Sequence, residues 1–202
     1  LISIIQEDVG RMDRLITDIS RASKVDASLA RETAQTINVY DILSNITEFY
    51  QQTRSGEGAG VDHVTADKAE ETGPIYIKAF ETPFAQVLRN LIDNALTFSP
   101  PDGSVRVSGF REPGATDRFV MITVEDDGPG IPPDNLDTIF ERFYTERPKG
   151  AQFGSHSGLG LAICRQIVMA HKGEIWAENR KDGEEILGAR FKVRLPRELV
   201  AG

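Results

Sequence analysis

QVLRNLIDNALTFS, residues Gln86 to Ser99, carries two patterns at once. Phe84, Val87, Leu88, Leu91, Ile92 and Ala95 recur at the three-and-four spacing of a helix that packs one side onto a core. Asn90, Asn94 and Thr97 follow one another at four and three residues, so three uncharged, oxygen-bearing side chains stack along a separate stripe. Taken alone, such a stripe is a solvated polar face, and only the rest of the chain gives it another meaning. Thr82 can serve as N-cap and Pro83 suits the first helical position, which predicts a helix starting near Pro83.

Working outward, 202 residues of which 40% are hydrophobic suffice for a real core in one or two domains. A formal charge of −8 argues against general nucleic-acid binding, which needs a basic surface. No run approaches the ~20 apolar residues that span a bilayer, and no charged-then-apolar leader is present. One cysteine excludes an internal disulfide and fits a reducing compartment. That cysteine, Cys164, sits on an apolar helix face and is read as a buried, inert thiol.

Ile2, Ile5, Val9, Met12, Ile16 and Ile19 form the a/d seam of a heptad repeat, so the first 30 residues are expected to be a helix that wants a partner. The pattern begins at Leu1, which suggests a helical bundle whose other half lies upstream or in another subunit. Periodicity fades between Lys24 and Arg31, and a domain boundary is expected near Asp26 to Ala34. Strand is then predicted for Gln35–Val39, helix for Tyr40–Tyr50, and strands for Val61–Ala66 and Ile75–Ala79. After the Asn-bearing helix, a half-buried strand pair is expected at Val105–Phe110 and Phe119–Val124. A helix over Gly158–His171 closed by Gly173, and strands at Glu174–Glu178 and Ala189–Leu195, complete the chain. The economical fold is a mixed sheet covered on one face by helices, in two layers.

Three further segments can carry chemistry. VEDDGPGIP, Val124 to Pro132, lies at the end of a strand: two acids at a strand end can accept hydrogen bonds from an exocyclic amine, and the glycines leave room for a flat ring such as adenine. Gly154 to Leu161, GSHSGLGL, runs into a helix whose free N–H groups and positive dipole end make a phosphate site. It matches neither the P-loop nor the dinucleotide-binding spacing. Between them FERFY, Phe140 to Tyr144, precedes a long polar run without periodicity, the mark of a lid. Phe140 and Phe143 would anchor its base, and Arg142, Arg147 and Lys149 could neutralise phosphate oxygens.

Taken in order, NLIDNA, DDGPGI, FERFY and SGLGLAI resemble the N, first glycine, F and second glycine boxes of the ATP-binding domain of sensor histidine kinases. The resemblance covers Gln35 to Pro196, and the heptad helix is similar to the second helix of the dimerisation and phosphotransfer domain. FERFYTERP, FGSHSGLGLAICRQI and GARFKVRLP further resemble the ChvG-type members of α-proteobacteria.

That resemblance implies the GHKL, or Bergerat, α/β sandwich over residues 35–202, binding ATP and Mg²⁺. It implies Mg²⁺ on the oxygen of Asn94 with support from Asn90, and the adenine amine on Asp126 beside Gly128 and Gly130. Backbone amides of Gly158, Leu159 and Gly160 would meet the phosphates, with further nucleotide contacts from Phe98, Arg142, Tyr144, Arg147, Lys149, Ser157 and Leu161. The implied activity is γ-phosphoryl transfer to a histidine on a separate helix and onward to a response-regulator aspartate. The implied whole is a homodimer joined through the helical bundle, with this portion cytoplasmic and tied to the inner membrane only through segments outside this sequence. A non-catalytic nucleotide-binding or dimerisation scaffold and a hydrolysing GHKL ATPase are the competing expectations.

An amide at Asn90, where hydrolysing relatives place a glutamate, argues for slow hydrolysis, since asparagine is no general base. Thr97 and Thr145 stand where the family often has lysine and arginine, and Gly188-Ala189-Arg190 lacks the hydroxyl of the last glycine box. The three histidines are followed by Val64, Ser157 and Lys172, none of which fits an acceptor motif, so this chain is not expected to phosphorylate itself. For His171, near a helix end, a charged imidazolium is the expectation.

Overall fold

The computed structural model describes residues 27, 29–54, 58–63, 73–112, 118–144 and 158–199. Residues 27 and 29–31 are helical; the rest of the heptad segment, and residues 145–157 of the expected lid, lie outside the described residues. In chain order the elements are β1 (Gln35–Asn38), α1 (Val39–Thr53), β2 (Gly60–His63), β3 (Tyr76–Ala79), α2 (Glu81–Phe98), β4 (Ser104–Arg111), β5 (Phe119–Glu125), α3 (Gly160–Ala170), β6 (Glu174–Asp182) and β7 (Glu185–Glu198). Two single 3-10 turns, Pro133–Asn135 and Thr138–Phe140, fall between β5 and α3.

The strands form one mixed sheet in the order β1-β3-β7-β5-β4-β2. Only β2 and β4 pair in parallel; the other neighbours are antiparallel. With 14 residues, β7 is long enough to pair β6 along Glu185–Arg194 register positions and still reach β3 at Arg197 and Glu198. The expected last strands were too short, β6 at its C-terminal end and β7 at both ends, because the sequence there is carried by charged residues that propensity alone does not assign to a strand.

The apolar stripe of α2 packs as its spacing predicts: Phe84, Val87, Leu88, Leu91, Ile92 and Ala95 are all fully buried. They share a core with Val39 and Leu43 of α1, Ile163, Cys164 and Ile167 of α3, and the inward rows of the sheet, among them Val107, Ile122, Phe191 and Val193. Burial of such side chains, at ~1.5–3 kcal/mol each, holds the two layers together. Burial also pushes the Cys164 thiol up to about 12, the inert state expected for it.

The half-buried sheet face needs correcting. β5 is buried at every position from Val120 to Val124. Its outward residues are roofed by long paired side chains: Arg106, Glu125, Arg180, Arg190, Glu178 and Lys192 form a continuous run of ion pairs across β4, β5, β6 and β7.

The expected start of α2 is corrected, and the expected closing of α3 by Gly173 is refined. α2 begins at Glu81, two residues before Pro83, with Phe80 as N-cap and no capping side chain of its own. Its free N–H groups are met from outside: Thr82 N–H donates to Glu32 Oε2 (3.4 Å) and Phe80 N–H to His171 Nε2 (2.9 Å). At the end of α3 the left-handed residue is Lys172 (φ 58°), and Gly173 follows it, donating to the Val168 carbonyl at 3.0 Å while Lys172 N–H reaches Met169. This is a Schellman ending. Gly173 is small because a Cβ there would strike the Arg194 carbonyl of β7.

Candidate functional site

The Asn stripe of α2 faces neither the core nor open water. Asn90, Asn94 and Thr97 are all half-buried. Asn90 Nδ2 donates to the carbonyl of Gly160 at 3.2 Å, tying the middle of α2 to the first residue of α3. With its nitrogen occupied in this way, Asn90 has its amide oxygen left for a ligand. Asn94, one turn on, makes no side-chain hydrogen bond among the described residues. Thr97 differs from both, because its hydroxyl turns back onto the helix and donates to the Asp93 carbonyl at 2.8 Å. The stripe therefore has two available members, not three.

At its far end α2 meets the turn after β5. A Cβ on Gly128 would lie 2.7 Å from the Phe98 carbonyl and 2.9 Å from Asp126 Oδ1, so the side chain is missing because the helix end leaves no room for it. Gly130, at φ 77°, would place a Cβ 2.8 Å from Asn179 Oδ1. The expectation that these glycines make space for a ring is thus revised: their contacts are with the protein itself, and they let the turn lie flat against α2 and β6. From Asn90 to Phe98, eight residues or about 12 Å of helix axis, one helix touches both loops, and that is the length scale of a nucleotide.

The two adjacent acids separate completely. Asp126 is 2% exposed. Its Oδ1 accepts the Gly128 and Ala189 N–H groups, both at 2.9 Å, and its own N–H donates to the Ala189 carbonyl at 3.0 Å. Burial pushes its carboxyl above the ordinary range against the pull of those two amides. Both donors converge on one oxygen, so Oδ2 is the acceptor left for an amine. Asp127 is instead gripped by arginines: it bonds to Arg106, accepts from Arg180 Nη1 at 2.8 Å and takes the Ser104 N–H at 2.9 Å. The Arg106 hydrogen bond, reinforced by Arg180, holds its carboxyl far below the usual range. Asp127 is part of the ion-paired roof, and Asp126 is the one of the two that no arginine side chain neutralises by direct contact with its carboxylate.

The strands β6 and β7 contribute supports, Arg180 among them, whose contact with Asp126 no local motif signals. Arg180 donates to the Asp126 carbonyl at 2.7 Å while pairing with Glu125 at 3.0 Å. Gly188 (φ 142°) lies so close to that carbonyl that any Cβ would collide with it. The missing hydroxyl at Ala189 is accordingly no defect in the fastening of Asp126, which the Ala189 main chain accomplishes. These groups lie more than 50 residues from Asp126 in the chain, and only the register of β6 on β7 brings them together.

The Gly-Leu-Gly segment begins its helix later than expected, at Gly160, with Leu159 as N-cap. Among the described residues no side chain caps this end, so the first N–H groups of α3 can take an anion. Leu159 is buried at 3% exposure and Leu161 packs partly against the core, so both fix the turn by their side chains while Gly158, at φ 72°, makes the bend. Phe143 departs from its expected role. Phe140 is buried edge-on against Phe191, but Phe143 is 51% exposed and has a positive φ of 69°. It anchors by main chain: its N–H donates to the Gly158 carbonyl at 2.9 Å, joining the two margins of the segment between them. Arg142 is exposed and Tyr144 half-buried at the same margin. Arg147, Lys149 and Ser157 lie outside the described residues.

His171 is not the imidazolium expected of it. Nδ1 sits 2.7 Å from the Ile167 carbonyl and so carries the proton, and Nε2 accepts from Phe80 N–H, which fixes the neutral tautomer. Burial lowers its affinity for a second proton. Among the described residues no group of three or more His, Cys, Asp or Glu could cage a metal. The donors present, two amide oxygens beside a bare helix N-terminus, suit a hard cation that takes the rest of its ligands from phosphates and water.

Residues 79–199 match the family model described as histidine kinase-, DNA gyrase B-, and HSP90-like ATPase. The chain belongs to that family, and its fold is that of the ATP-binding catalytic domain of sensor histidine kinases. Among individual relatives it is similar to Sensor protein ChvG of Rhizobium meliloti (strain 1021), with 43% identity over 97% of this chain. The chain spans 34% of that relative's length. The catalytic domain of histidine kinase ThkA superposes with a TM-score of 0.64 at 25% identity, covering 81% of this chain and 95% of that one. A structure of ThkA in complex with the response regulator protein TrrA has a TM-score of 0.64 at 22% identity, covering 98% of this chain and 50% of ThkA, which is a likeness of fold.

Proposed function

We propose that this chain holds Mg²⁺-ATP for transfer of the γ-phosphoryl group to a histidine on a separate helix, from which a response-regulator aspartate takes it. The observation that carries the reading is the single helix α2 tied at Asn90 to the phosphate-side turn and packed at Phe98 against the turn that presents Asp126. Asp126 Oδ2 accepts from the adenine amine, with Gly128 and Gly130 keeping the turn flat. Asn94, seconded by Asn90, offers oxygen to Mg²⁺, which when bound supplies charge neutralisation on the phosphates. Main-chain N–H groups where the Gly158–Leu161 turn enters α3 bind phosphate oxygens. Phe98, Tyr144 and Arg142 border the nucleotide, Arg147 and Lys149 act from the segment between the F and glycine motifs, and Ser157 acts from the first position of the glycine motif.

Nothing in this set forms a covalent bond to substrate, so the domain works by positioning and electrostatics. The first 30 residues belong to a dimerising helical bundle, and the whole protein is a homodimer whose kinase portion is cytoplasmic beneath the inner membrane. Among the described residues no helix is long and apolar enough to cross a membrane. Mixing the chain with γ-labelled ATP, Mg²⁺ and a second polypeptide bearing the acceptor helix tests the reading. Acid-labile label on the second polypeptide and none on this chain is the expected outcome. Nucleotide binding without any transfer would favour a non-catalytic scaffold.

A further inference from the structure

The turn that presents Asp126 is fastened at two points, and the second has no counterpart in the roles assigned above. Asn179 of β6 accepts the Ile131 N–H on Oδ1 and donates from Nδ2 to the Ile131 carbonyl, both at 2.7 Å. One side chain thus satisfies both main-chain groups of a single residue, as a neighbouring strand would. Asn179 pairs in register with Ala189, the residue that fastens Asp126 from β7. The next pair, Arg180 with Gly188, receives the Asp126 carbonyl. Adjacent rungs of one hairpin therefore hold the turn at its first residue, Asp126, and at Ile131, with Gly128 and Gly130 between. A Cβ on Gly130 would lie 2.8 Å from Asn179 Oδ1, so the turn closes on this amide only with glycine at that position.

We propose that Asn179 is a positioning residue for nucleotide-base selection, its amide holding the 126–131 turn so that Asp126 meets an exocyclic amine. The inference rests on the assignment of Asp126 to the base. Only an amide meets the requirement. The site needs one acceptor and one donor in a plane, and an ionised carboxylate in the same shape would set an oxygen against the Ile131 carbonyl. Freeing Ile131 lets the turn shift on its glycines and blurs the acceptor position. The consequence is selective, because a base with a carbonyl in place of the amine is rejected by a fixed carboxylate oxygen and less so by a mobile one.

The test measures Mg²⁺-dependent binding of non-hydrolysable ATP and GTP analogues by calorimetry in the wild type, Asn179→Ala and Asn179→Asp, with melting temperatures to confirm that each is folded. Asn179→Ala is expected to bind the ATP analogue about ten-fold more weakly, the effect of two lost hydrogen bonds, and to discriminate less against the GTP analogue. Asn179→Asp is expected to be as weak at about pH 8 and to regain affinity relative to the wild type toward about pH 4, where a protonated carboxyl again offers one donor and one acceptor. Unchanged affinity and selectivity in folded Asn179→Ala, or an Asn179→Asp deficit independent of pH, would overturn the proposal. A wild type that binds neither analogue would instead refute the nucleotide assignment on which it rests.

Discussion

At the residue scale, Asp126 and Asp127 show how the same side chain is given two uses by its donors. Main-chain amides hold one oxygen of Asp126 without neutralising the group, whereas Arg106 and Arg180 neutralise Asp127 and lock it to Ser104. Asp127→Ala should therefore cost about 1–2 kcal/mol of stability, since it leaves two half-buried guanidinium groups with Glu125 as their one remaining shared carboxylate, while nucleotide affinity changes far less; urea unfolding and titration calorimetry read the two effects separately. The Asp127 pKa is depressed in the folded state, so its contribution is complete above the unfolded value of about 3.9 and is lost as pH falls below it. Asn90 makes the complementary point. Its nitrogen is held by Gly160 and it has no basic atom with which to activate water, so ATP hydrolysis by this chain should stay far slower than in dedicated ATPases. A phosphate-release assay giving turnover of about 1 s⁻¹ or more would contradict this.

Elements were legible in the sequence wherever apolar periodicity ran unbroken, as in α2, whose six predicted core positions are all buried. Their ends were less so, because caps here come from distant parts of the chain. α2 takes one cap from Glu32 and another from His171, 50 and 91 residues from the N–H groups they satisfy, which no local signature encodes. The His171 cap carries a pH dependence. The native state resists protonation, so below the free imidazole value of about 6.5 the unfolded chain binds the proton first and stability falls. The melting temperature should thus drop between about pH 7.5 and about pH 5 by more in the wild type than in His171→Ala, although the variant melts lower throughout. An identical slope in both would show that the imidazole is not the titrating cap.

For the whole molecule, the fold class and the phosphate and base motifs were readable because each is a contiguous segment whose residue types match its chemistry. The supports of the site were not. Asn179, Arg180, Gly188 and the Ala189 main chain act only through the β6–β7 register, and Asp127, which looked like half of a binding pair, is removed from the site by arginines on two other strands. What unites the parts is α2, with Asn90 against one loop and Phe98 against the other, so that a ligand spanning both must lie along this helix. The most direct measurement is Mg²⁺-dependent binding of an ATP analogue to the wild type, Asn94→Ala and Asp126→Asn. In Asp126→Asn the amide oxygen can still accept both main-chain N–H groups, so the fold survives the change. Each substitution should weaken binding about ten-fold or more through loss of an oxygen facing the ligand, with Asn94→Ala also losing most of the Mg²⁺ dependence. Affinity and metal dependence unchanged in both folded variants would contradict the account.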